Sequence, residues 1–134
     1  IKISYYLMFF TIITLSACGS DSHHDSILDP ILSEFVDAGI TLKEQGNKSE
    51  TFTFFGSDEK HYEFNEGTIY LLYNFKNRES VIENLTKVFA ETEFPYHVDK
   101  LYTDKFIIIF VANSDNSNTK KKVEKIFQKL EEYK

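Results

Sequence analysis

Cysteine is almost missing from this chain: Cys18 is the single one in 134 residues. No intramolecular disulfide can form, and a metal centre built on several thiolates is excluded. Glycine is also scarce, at five residues, and none lies in a glycine-rich phosphate loop, which removes the usual cradles for nucleotides. Positive charge is in deficit, with 15 Lys and Arg against 21 Asp and Glu and a net charge of −6. Phosphate backbones are bound by clustered cations, so nucleic acid is not an expected partner. What the chain does have is core material. Hydrophobic residues make up 42% and aromatic residues 16%, all of the latter Phe and Tyr, a composition that folds rather than stays disordered. The length suits one modest domain.

The longest apolar stretch, Tyr5 to Leu15, follows Lys2 and leads into the small residues Ser16 and Ala17. That order of charge, apolar core and small residues is the pattern of a secretory signal, and the stretch falls short of the roughly 20 residues a membrane-spanning helix needs. The segment Leu15-Ser16-Ala17-Cys18 resembles the lipobox of bacterial lipoproteins, and the composition is similar to small lipoproteins of the Gram-positive type. The resemblance covers only the leading part of the chain. It implies a diacylglycerol, palmitate-like in its acyl chains, on the sulfur of Cys18, with cleavage just before it and the mature protein held at the extracytoplasmic face of the cell membrane. Two acyl chains, each gaining about 0.8 kcal/mol per buried methylene, anchor far better than one. An ordinary signal peptide cleaved nearby, leaving Cys18 a bystander, is the alternative. The expected organisation is a lipoprotein signal peptide over residues 1–17, a flexible tether over 18–26 and a single α+β domain over 27–134. Loss of residues 1–17 removes only Lys2 among charged residues, leaving −7.

In the domain, Asp29, Pro30 and Gly39 predict a helix from Pro30 to Ala38, with an apolar stripe of Ile31, Leu32, Phe35 and Val36. Ile40 to Lys43 reads as a short extended piece. Thr51 to Phe55 and His61 to Phe64 read as two short strands joined at Gly56 to Glu59. Thr68 to Phe75 is a strongly apolar strand. A helix opens at Asn77 or Arg78 and runs to about Thr92, burying Val81, Ile82, Leu85, Val88 and Phe89. Pro95 to Tyr102 and Lys105 to Ala112 read as strands about a Thr103-Asp104 turn. The last helix carries Val123, Ile126, Phe127, Leu130 and Tyr133 at helical spacing. The fold class is therefore α+β: a mostly antiparallel sheet with a ferredoxin-like split β-α-β core, preceded by a helix and a hairpin. Lys105 to Ala112 is apolar at alternate positions of both sets, which makes it the central strand. The two late helices are expected on one face of the sheet. The other face is then covered by the first helix with Phe52, Phe54 and Phe55, or left as an aromatic patch for a partner or hydrophobic ligand.

Catalytic and metal-binding patterns are thin. His23, His24 and Asp25 could form half of a metal site, but adjacent residues in a tether rarely preorganise a coordination shell. His61 and His97 fall on expected strands with no Cys nearby. Ser33, Ser57 and Ser80 lack the strained setting of a hydrolase nucleophile. Lys120, Lys121 and Lys122 fall in the expected first turn of the last helix, where positive charge opposes the macrodipole. Contact with anionic headgroups or wall polymers is one use for them; a solvated helix end balanced by Glu124 is the other. No catalytic residue, cofactor or metal ligand is assigned, and Cys18 is the one site residue, for lipid attachment. The expected role is a non-enzymatic, membrane-anchored interaction or ligand-binding module, its partners being membrane lipid and an envelope protein or hydrophobic ligand. The alternatives are an envelope enzyme or stress-response factor using His61 and His97, and a phage-exclusion or immunity lipoprotein.

Overall fold

The structure, a computed structural model, describes residues 25–46 and 56–133. Cys18, His23, His24, the apolar leader and the expected strand at Thr51 to Phe55 lie outside the described residues. The elements run α1 (Asp25–Asp37), β1 (Lys43–Gln45), β2 (Asp58–Phe64), β3 (Gly67–Tyr73), α2 (Arg78–Glu91), β4 (Val98–Tyr102), β5 (Phe106–Ala112) and α3 (Ser117–Glu131). The strands form one five-stranded sheet in the order β1-β2-β3-β5-β4, with every neighbouring pair antiparallel. β3 and β4 therefore run parallel with β5 inserted between them, which is the split β-α-β core of an α+β fold.

β5 occupies the centre because it is apolar on both sides. Ile107 and Ile109 pack with Leu72 and with Val81 and Leu85 of α2. Phe106, Ile108 and Phe110 pack the other way, with Ile69 and Leu71 and with Phe35 of α1 and Val123, Ile126 and Leu130 of α3. The late helices thus lie on opposite faces, which corrects the expectation of a shared one. The handedness rule governs only a helix inside a parallel crossover, here α2 between β3 and β4. α3 follows the last strand and leads to no further one, so burial alone selects its side. It covers the face α2 leaves open and shares it with α1.

α1 begins at Asp25, five residues before the expected start, and reaches into the stretch read as tether. Pro30 sits inside the helix, where its missing N–H and its ring remove one backbone hydrogen bond. Burial of Leu28 at 2% exposure, with Ile31 and Phe35 on the same stripe, offsets that loss. Val36, expected in the stripe, is 66% exposed, and Tyr133 of the last helix's stripe is 51% exposed. α1 ends in a tight glycine cap: Ile40 N–H donates to Phe35 O and Gly39 N–H to Val36 O, with Gly39 at φ +79°. α2 starts at its cap Asn77, whose side chain accepts from Ser80 N–H at 3.1 Å. Arg78 Nε donates to Thr103 O at 2.8 Å, tying the start of α2 to the β4–β5 turn. α1 and α3 run antiparallel: Ile27 and Pro30 lie by Leu130 and Tyr133, while Gly39 and Ile40 lie by Thr119 and Lys122. Lys129 and Glu34 bridge the pair at 3.7 Å.

Gly67 opens β3 where the backbones crowd. A Cβ there would lie 2.5 Å from Val111 O and 2.6 Å from a Phe110 ring carbon. Gly67→Ala is expected to destabilise the domain by about 1–3 kcal/mol through overpacking. Gly46→Ala, with nothing among the described residues within 4 Å of the added carbon, should leave the urea midpoint unchanged. Equal midpoints for both variants would refute this packing.

Candidate functional site

One end of the sheet gathers the loops that carry polar side chains. The β2–β3 turn at Asn65 and Glu66, the residues after β5 and the residue before β4 meet there. Asn113 N–H donates to Glu66 O, Asn113 Nδ2 to Asn65 O, each at 3.0 Å, and Ala112 N–H donates to His97 O at 2.9 Å. These bonds continue the ladders past the strand ends and hold three segments to the rigid centre. α3 starts beside them. Its cap, Asn116, accepts from the backbone N–H groups of Asn118 and Thr119 at 3.1 Å each.

Two cavities of about 470 and 350 Å³ open at this end and share Glu66 and Thr119 as lining. Together they form a cleft from the exit of α1 to His97. Its first part is bordered by Gly39, Ile40, Lys43, Glu63 and Lys122. Its second is bordered by His97, Ser114, Asp115, Ser117 and Lys120. Phe64 and Phe110, one lining each part, stack with ring centres 5.8 Å apart. Stacked rings with charged groups of both signs around them suit a polar ligand or peptide with an apolar portion.

His97 stands at the wall of this cleft. Asp99, two residues on, shares its side of β4, and α3 brings Glu124 over both. His97 Nε2 lies 3.8 Å from Asp99 Oδ2, too far for a hydrogen bond. That nitrogen is buried and makes no hydrogen bond. Asp99 Oδ1 accepts from Lys100 N–H at 3.1 Å, which orients the carboxylate.

His61 does not join His97. It lies opposite Tyr70 on β3 and stacks on that ring at 5.6 Å, on the α2 side of the sheet. Asp99 lies opposite Phe110, on the α1–α3 side. Strand alternation thus separates the two histidines by the thickness of the sheet. Ser33 and Ser80 are exposed on helices, and Ser57 is half-buried beside β2. Because α3 starts at Ser117, only Lys120 of the three lysines falls in its first turn; all three are exposed. The sequence reading missed the partnership of His97 with Asp99 and Glu124. The His97-Val98-Asp99 alternation was a usable signal for two of them, but Glu124 required knowing which face α3 covers. The chain matches no protein-family model, no curated protein and no solved structure.

The Asn116 cap fixes the helix end bordering the cleft. Asn116→Ala should lower stability by about 1 kcal/mol and speed hydrogen exchange at the Asn118 and Thr119 amides. Unchanged exchange at both would show that the cap does not hold this end.

Proposed function

We propose that the chain is a non-enzymatic lipoprotein, anchored through Cys18 at the extracytoplasmic face of the cell membrane, whose cleft is a ligand- or partner-binding site. The observation that carries the anchor is the apolar run ending in Leu15-Ser16-Ala17-Cys18. Position, apolar length and cysteine coincide there. Among the described residues no helix is long and apolar enough to cross a membrane.

The fold gives the anchor a geometric consequence. Seven chain steps separate Cys18 from Asp25, the first residue of α1, and can span at most about 25 Å. The start of α1, with the end of α3 beside it, is then the end tied to the anchor. The cleft lies at the far end of both helices, by the exit of α1 and the start of α3. Lys120 and Lys122 border that cleft, which offers them a use as ligand contacts. The separation of His61 from His97 gives no support to an enzyme that uses the two together.

Cys18→Ser tests the anchor. The wild type should carry the mass of a diacylglycerol and fractionate with membranes, and the variant should lose both. Identical mass and fractionation for the two proteins would overturn the proposal.

A further inference from the structure

His97, Asp99 and Glu124 each offer one ligand atom, and the three atoms lie within 4.8 Å of one another. They come from two parts of the chain: the start of β4, with His97 just before it and Asp99 within it, and α3. The spacing is informative. An N–H···O hydrogen bond closes to about 2.9 Å, whereas two donors that share a tetrahedral ion at about 2.1 Å stand about 3.4 Å apart. The 3.8 Å between His97 Nε2 and Asp99 Oδ2 is outside the first range and a small side-chain rotation from the second.

A second observation is independent of the carboxylates. His97 Nε2 is out of contact with solvent and has no hydrogen-bond partner, an unfavourable state for a polar nitrogen. An ion at the centre of the three groups removes it. Asp99 is already held, since its other oxygen accepts from Lys100 N–H and leaves Oδ2 on the His97 side. Such outer hydrogen bonds are how ligating carboxylates are kept in place.

We propose that His97, Asp99 and Glu124 bind a divalent transition-metal ion, with zinc the best match. One imidazole with two carboxylates fits zinc, which takes nitrogen and oxygen donors in tetrahedral geometry, whereas magnesium and calcium favour oxygen alone. Three protein donors leave a fourth position for water or an outside ligand. His97 lines the cleft, so the ion stands at the cleft wall. Lys120 lines the same part of the cleft, and its charge opposes a cation. This deepens the binding-site reading of the cleft and is independent of the lipid on Cys18.

The test is equilibrium dialysis of the purified full chain, stripped with chelator, against zinc, with thermal melts alongside. About one zinc per chain should be retained, the melting temperature should rise, and magnesium should do neither. His97→Ala and Glu124→Gln should each weaken zinc binding at least about tenfold, since even outer-shell partners of known sites matter that much. Glu124 is exposed, so its variant keeps the fold, and the melt of His97→Ala in chelator checks that one. Lys120→Gln should tighten binding a few-fold. His61→Ala and the double variant His23→Ala with His24→Ala should bind as the wild type does. Absence of zinc binding overturns the proposal. So does zinc held equally by His97→Ala and Glu124→Gln, or lost with His23 and His24 instead. Each of these results can arise with Cys18 fully lipidated, so failure here is distinct from failure of the anchor.

Discussion

The architecture depends on a strand that tolerates water on neither side. Ile107, Ile108 and Ile109 of β5 are completely buried, with the middle one facing opposite to its neighbours. Burying each such side chain stabilises the fold by about 1.5–3 kcal/mol, but only if helices cover both faces. α2 supplies one cover within its crossover. α1 and α3 together supply the other, packed antiparallel on one side of the sheet.

That constraint also places the candidate site. The segments bordering the cleft are the immediate continuations of three neighbouring strands: Asn113 follows β5, His97 precedes β4, and Glu66 precedes β3. Polar groups on short loops become well positioned when the elements beneath them are rigid. Because α3 must lie against β5, Glu124 is carried over the start of β4, where His97 and Asp99 stand. The fold's apolar demand and the cluster of metal donors found among the described residues are therefore linked by one helix.

Sequence patterns carried much of this, and the failures have physical causes. Asn77 marked the start of α2, and the β5 run announced its central place because a strand apolar at every position has no side to give to solvent. The expected sheet core, with its single crossover, is present. The start of α1 was misjudged because Pro30 is a strong local signal for a first turn, and burial of Leu28 overrode it. β4 starts at Val98 rather than Pro95, since proline cannot donate to a ladder and pairing is continued only by the His97 carbonyl. The helix faces were misassigned because periodicity shows that a helix has an apolar stripe, not which layer receives it. For the same reason the meeting of His97 with Glu124 was out of reach: it is set by tertiary packing between residues 27 positions apart.

Native-state hydrogen exchange tests the two-sided burial of β5 most directly. The amides of Ile107, Ile108 and Ile109 should be the slowest in the protein, exchanging only through global unfolding and tracking its denaturant dependence. Exchange of any of the three through a smaller, denaturant-independent opening would contradict a central strand sealed between helical layers, and with it the placement of the cleft.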